Sequence, residues 1–210
     1  MILSDTCDLE NTLTSGVTRW PLPPAGYALH QQRWLTTNAS HCLFQHLQSE
    51  IEWQQPEISL FGRSVAIPRL QAWIGDSGAD YRYSGTRFQP SAWPSNLDAL
   101  RSRLSKELNR PFNSVLVNLY RDGQDCMHWH ADDEPELGDA PCIASVSLGA
   151  IRDFRFRHRA GQQKSLTLPL GDGDLLVMGG DCQRHWQHCL PRRKRVTSAR
   201  INLTFRYIST

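Results

Sequence analysis

The chain has 210 residues, which suits one domain whose core needs neither disulfides nor a structural metal. Hydrophobic residues at 40% and charged residues at 21% exclude a disordered chain, and a net charge of +2 excludes a tail-type polycation but not a local basic patch. No apolar run approaches the ~20 residues of a membrane span, so no membrane association is expected. The start, MILSDTCDLENT, lacks the basic and apolar regions of a signal peptide, and the six cysteines form no CxxC pair. Reduced thiols in a cytosolic protein are the expectation.

Residues 17–29, VTRWPLPPAGYAL, are rich in proline and predict an irregular arm. Residues 40–51 set Leu43, Phe44, Leu47 and Ile51 on a helical stripe, with Ser40 as a cap. Residues 60–85 scatter Gly, Pro and aromatics and read as extended segments and loops. A second helix is predicted over 96–108, where Leu97, Leu100, Leu104 and Leu108 recur at spacings of three and four after Pro94 and Ser95. From residue 115 the pattern turns to short strands: 115–120, 143–148, 153–158, 165–170, 174–179 and 200–208. Gly and Asp turns separate them. The class is therefore α+β, mainly β: a sandwich or jelly roll with helices packed on one face and no internal boundary.

The stretch 118–138 holds His128, His130, Asp132, Asp133 and Glu134. Residues i and i+2 of an extended segment point the same way, so His130 and Asp132 can face one metal ion. His185 and His188 lie further along and offer a third ligand. Two histidines and a carboxylate with open positions form the facial triad of non-haem Fe(II) enzymes. By spacing alone His-x-Asp also fits a solvated acidic turn. His128 shares the i, i+2 relation with His130; for His128 and His185 the preferred reading is a hydrogen-bonded or surface histidine.

In 200–206, RINLTFR, the residues Arg200, Asn202, Thr204 and Arg206 alternate with Ile201, Leu203 and Phe205. A solvent-facing strand would look the same. Arginine nevertheless suits bidentate capture of carboxylates, so two of them on one face can hold a dicarboxylate, with Asn118 and Tyr120 completing the pocket.

Taken in order, NLYRDGQD, HADDE, HWQHCLP and RINLTFR resemble the AlkB family of Fe(II)/2-oxoglutarate-dependent dioxygenases. The resemblance runs from about residue 57 to the C-terminus and includes YRYSG (81–85), IASVSLGAIRDFRFRH (143–158) and LLVMGG (175–180). It is nearest to the branch that repairs alkylated DNA bases. It implies a double-stranded β-helix (jelly-roll) core with an N-terminal nucleotide-recognition lid, in a single domain over 1–210. Residues 1–56 would be an extension and helix, 57–95 the lid, and 96–210 the catalytic core. His130, Asp132 and His188 would bind Fe(II). Asn118, Tyr120, Arg200, Asn202 and Arg206 would hold 2-oxoglutarate, with O2 as the other co-substrate. Glu134 matches a position that reads the exocyclic edge of the damaged base, and Tyr81 and Tyr83 match lid aromatics beside it. His128 stands where the family usually carries a small residue, and is a competing ligand or a distortion of the loop.

The implied reaction is oxidative demethylation of N-alkylated bases in DNA, with decarboxylation of 2-oxoglutarate to succinate and release of formaldehyde. The target base must be flipped out or single-stranded. Phe61 and Arg63 sit where a DNA-wedge loop would fall; Phe61 reads equally as a plug or a core residue. Trp73 also reads as core. Arg192, Arg193 and Lys194 in the run 191–195, and Arg152, Arg155, Arg157 and His158, are the expected phosphate contacts. The expected partner is alkylated DNA and the expected state a monomer, cytoplasmic in a bacterium and nuclear in a eukaryote. RNA, protein or a small molecule is the alternative substrate of the same chemistry. A non-enzymatic nucleic-acid-binding β-barrel is the second alternative.

Overall fold

Two antiparallel sheets face one another, and each strand's alternation decides which layer it feeds. The computed structural model describes residues 16–60, 63–83 and 86–209. The larger sheet runs β1 (Val17–Leu22), β2 (Gly26–Gln31), β13 (Leu175–Gly180), β10 (Ile143–Gly149), β15 (Arg200–Arg206), β8 (Ser114–Tyr120) and β5 (Leu70–Gly75). The smaller runs β12 (Leu166–Leu170), β11 (Arg152–His158), β14 (Trp186–Leu190) and β9 (Met127–His130). Two hairpins stand apart from both sheets: β3 (Glu57–Leu60) with β4 (Arg63–Ala66), and β6 (Tyr81–Tyr83) with β7 (Thr86–Phe88). This is a jelly roll, one of the two architectures the strand pattern allows and the one the family resemblance implies.

Helices α1 (Thr37–Glu50) and α2 (Ser95–Leu108) cover the outer face of the larger sheet. The four leucines of α2 are buried against Val115, Val117, Ile201, Leu203 and Phe205. The expected cap of α1 shifts by one turn. Thr36 accepts from the Ala39 amide, whereas Ser40 is buried inside the helix and donates to Asp172 at 2.5 Å. A second apolar layer, including Phe154, Phe156, Leu168, Leu176 and Trp186, fills the space between the sheets.

The region 17–29 departs from the expectation. It is not an irregular arm but the β1–β2 hairpin, with Pro23 and Pro24 in its turn. Pro21 is tolerated because β1 is the edge strand, where a missing amide costs no ladder bond. Strand β2 is buried along its whole length beside β13. Segment 60–85 is made of extended segments and loops as expected: among its described residues β5 joins the larger sheet, and Trp73 is core, its indole donating to the Ala79 carbonyl.

Asp174 fastens β2 to the start of β13. Its carboxylate accepts from the Arg33 and Gly171 amides and hydrogen-bonds His30 at 3.0 Å. Burial works against the charge, but the His30 hydrogen bond and the two amides outweigh it and hold the carboxyl below the usual carboxylate range. The stabilisation is complete above the unfolded pKa of about 3.9 and disappears as pH falls through the depressed folded value. Unfolding free energies of the wild type and Asp174→Asn should therefore differ at neutral pH and converge in acid. A gap independent of pH would remove Asp174 as the source.

Candidate active site

Strands β9 and β14 place the two histidines directly opposite one another. Between Met127 and His130 two residues of β9, His128 and Trp129, face the single Cys189 of β14. The bulge breaks the i, i+2 relation and leaves the His128 side chain exposed. The residue still contributes: its carbonyl lies 2.8 Å from His130 Nδ1. That bond makes Nδ1 the protonated nitrogen and leaves Nε2 as the lone-pair donor. Nε2 sits 4.0 Å from Asp132 Oδ1, and the His130 and His188 rings are 4.2 Å apart.

His130, Asp132 and His188 bring one ligand atom each to within 4.8 Å of the others. His128 and His185 are not in this cluster; His185 stacks on His158 and lies 3.9 Å from Asp181. Two atoms of the cluster are buried without a hydrogen-bond partner, Asp132 Oδ2 and His188 Nδ1. Buried polar atoms without partners are costly. A divalent cation would satisfy the Asp132 oxygen, and the nitrogen–oxygen donor set suits iron.

The electrostatics favour the ligand forms of all three residues. Burial opposes ionisation of Asp132, yet Arg206, His188 and His130 overcome it and hold its pKa at about 2. Arg206 supplies the strongest contact, donating to Asp132 Oδ1 at 2.8 Å. Burial and the neighbouring His130 pull His188 down to about 3, and burial also lowers His130. Both imidazoles are thus neutral and able to coordinate.

The polar face of β15 turns inward. Arg200, Asn202, Thr204 and Arg206 are all buried and line one cavity with the triad, Asn118 and Tyr120. The sequence left a solvent-facing strand open; the sheet stacking closes that option. Among the described residues Asp132 is the one carboxylate in the cavity wall, which also carries the guanidinium groups of Arg200 and Arg206. Arg200 is 1% exposed. Its Nη2 donates to Ser147 Oγ at 2.8 Å, its Nε is unpaired, and no carboxylate of the described residues lies within ion-pair distance. Burial draws its pKa down to about 10. A buried cation without a counter-anion is expensive, and a dicarboxylate co-substrate supplies the missing charge. Burial raises the pKa of Tyr120 against the pull of Arg69, Arg200 and Arg152, which keeps its phenol protonated as a donor.

Two buried residues here escaped the sequence reading. Arg69 donates from Nε to Asn118 Oδ1 at 2.8 Å and fixes the orientation of that amide. Gln183 accepts from the Asp132 amide at 3.0 Å. Each carries no motif, because its role depends on contacts 49 and 51 positions away along the chain.

The residues expected at the nucleic acid are dispersed. Glu134 stands two positions after Asp132, at the head of the turn Pro135–Leu137. Tyr81 and Tyr83 lie on β6, Arg63 begins β4 and is exposed, and Phe61 falls outside the described residues. Arg192 and Lys194 are exposed, whereas Arg193 pairs with Asp153. Arg152 is not available to phosphate. It is 1% exposed, and its guanidinium donates to the carbonyls of Asp122, Asp125 and Pro191. It ties the 122–125 turn to the basic run, which lies so close that a Cβ at Gly123 would fall 1.8 Å from the Arg193 carbonyl oxygen.

Comparison with known proteins identifies the family of the chain. The family model described as 2OG-Fe(II) oxygenase superfamily matches residues 28–206. The chain is 42% identical over 176 residues to the Homo sapiens protein named DNA oxidative demethylase ALKBH2, covering 79% of this chain and 67% of that one. It is 34% identical over 203 residues to the Mus musculus alpha-ketoglutarate-dependent dioxygenase alkB homolog 3, covering 92% and 68% respectively. A solved structure of OsALKBH1 shares the fold, with a TM-score of 0.59 at 17% identity over 90% of this chain and 100% of that one. The chain belongs to the 2OG-Fe(II) oxygenase superfamily and, within it, to the AlkB family.

Proposed function

We propose that the protein is an oxidative demethylase of N-alkylated bases in DNA. The observation that carries the chemistry is a single buried cavity holding both a His-Asp-His cluster and an uncompensated Arg200. The DNA substrate is supported by the 42% identity to a protein named DNA oxidative demethylase. The family uses Fe(II), 2-oxoglutarate and O2. When bound, these supply the oxidation that hydroxylates an N-methyl group and releases it as formaldehyde, with 2-oxoglutarate ending as succinate and CO2.

The chain's own residues do the rest. His130 through Nε2, Asp132 and His188 hold the metal. Arg206 keeps Asp132 ionised. Arg200 receives the distal carboxylate of the co-substrate, and Asn118, Tyr120 and Asn202 orient it. Glu134 reads the base edge, Tyr81 and Tyr83 of the lid hairpin flank the base, and Phe61 and Arg63 open the strand. Among the described residues no helix is long and apolar enough to cross a membrane. We place the working protein as a monomer with its DNA, in the cytoplasm of a bacterium or the nucleus of a eukaryote.

Formaldehyde and succinate release from methylated DNA, methylated RNA and methylated peptides in competition tests the substrate. DNA should dominate; a preference for RNA or peptide would overturn the reading while keeping the chemistry. Phosphate contact is tested separately. Replacing both Arg192 and Lys194 by Ala should flatten the slope of log K against log salt by roughly 2, about 1 for each lost contact. Arg193→Ala should change that slope less, because Asp153 already engages its guanidinium.

A further inference from the structure

The two kinds of ligand in the cluster are fixed by different means. His130 and His188 sit in a β ladder, paired with each other. Asp132 lies beyond the end of β9, with no ladder to hold its backbone. Its amide donates instead to Gln183 Oε1 at 3.0 Å.

Gln183 belongs to the short helix α3 (Cys182–His185), is 1% exposed, and does not line the cavity. The other end of its amide faces only sulfur: Nε2 lies 3.6 Å from Met178 Sδ and 3.9 Å from Cys182 Sγ. Such contacts return little of the cost of burying an amide. The one strong bond of this side chain is to Asp132. The backbone of the same residue makes a second link. Its carbonyl accepts from Arg159 Nη2, which also donates to Asp133 at 2.5 Å. Residues 132 and 133 are thus gripped from one turn of helix.

That turn is seated on the β1–β2 hairpin. The Asp181 amide donates to the Ala25 carbonyl at 3.2 Å, and the Trp186 indole to the Pro23 carbonyl at 2.9 Å. Gly26 lies so close that a Cβ there would fall 2.8 Å from the Cys182 backbone. The chain of contact runs from hairpin to helix to Gln183 to the amide of Asp132.

We propose that Gln183 is a positioning residue of the iron centre: its side-chain oxygen fixes the backbone of Asp132 so that the carboxylate meets the metal together with His130 and His188. The proposal rests on the reading of that triad as the metal site. Partners that orient metal ligands typically contribute 10- to 100-fold to metal affinity.

The test uses the metal-free full chain titrated with Co2+ alone and followed by its ligand-field absorption. Gln183→Met matches the shape, removes the acceptor, and should weaken Co2+ binding roughly 10- to 100-fold with an altered spectrum. Gln183→Glu keeps an oxygen acceptor in either protonation state and should bind as the wild type does. Wild-type affinity in Gln183→Met would overturn the proposal. So would an equal loss in Gln183→Glu, which would make the effect one of packing. Where Gln183→Met does not unfold cooperatively, Gln183→Asn takes its place; it is one methylene too short to reach, and should lose affinity while Gln183→Glu does not. Failure of the wild type to bind Co2+ would instead overturn the metal site itself, a result distinct from an unchanged Gln183 variant.

Discussion

Arg200→Met should raise the KM for 2-oxoglutarate by roughly 30-fold to several thousandfold, the 2–5 kcal/mol typical of losing one partner of a buried charged pair. Affinity for the metal alone should stay close to that of the wild type, because Arg200 touches no ligand of the triad. The structure adds a second, less usual expectation. Arg200 is buried with a hydroxyl and, among the described residues, no carboxylate within ion-pair distance, so the co-substrate-free protein carries the cost of that cation. Removing it should leave the melting temperature of the free protein unchanged or higher, and should abolish the stabilisation that 2-oxoglutarate confers on the wild type. Arg200→Lys should recover only part of the affinity, since an ammonium cannot form the two-pronged contact. A KM unchanged in Arg200→Met would show that the co-substrate lies elsewhere.

Asp132→Ala should abolish both metal binding and succinate release. It should also destabilise the metal-free fold by about 3–5 kcal/mol, because it removes the carboxylate to which the buried Arg206 donates. The two effects separate experimentally: metal titration reads the first, and urea unfolding of the metal-free chain reads the second. Loss of metal binding with no loss of stability would mean that the Arg206 pair contributes nothing net. Metal binding and turnover equal to the wild type would remove Asp132 from the site.

These expectations differ in how much of their basis was visible in the chain. Alternation in RINLTFR was plain, but it was compatible with either a wet strand or a buried polar pocket. Only the stacking of the smaller sheet over β15 makes the polar face an interior one. The histidines were similarly legible as a set and ambiguous as individuals. His128 stands at the same spacing from His130 as Asp132 does, and a β-bulge, which has no sequence signature of its own here, sends it to solvent. Arg152 reads in the sequence as one cation of a basic strand. In the fold it is a buried clasp for three carbonyls, because β11 places it on the inward side beside Tyr120.

The hairpin at 17–29 defies the proline-rich pattern for a physical reason. Proline marks irregular chain on average, yet an edge strand has a free side where the absent amide costs nothing. That hairpin seats α3 and, through Gln183, the backbone of Asp132.

Local pattern by itself determined the class of the fold, both main helices and most strands of the core, and the order of its short motifs pointed to a family and through it to candidate iron-binding and co-substrate residues, because periodicity and motif order are properties of contiguous residues. The tertiary structure decided which histidines cluster with Asp132, which arginines are spent inside and which face outward, and what holds Asp132 in place. Those outcomes depend on burial and on partners tens of positions away, and the free energy of a charge or an amide is set by the surroundings that folding brings to it.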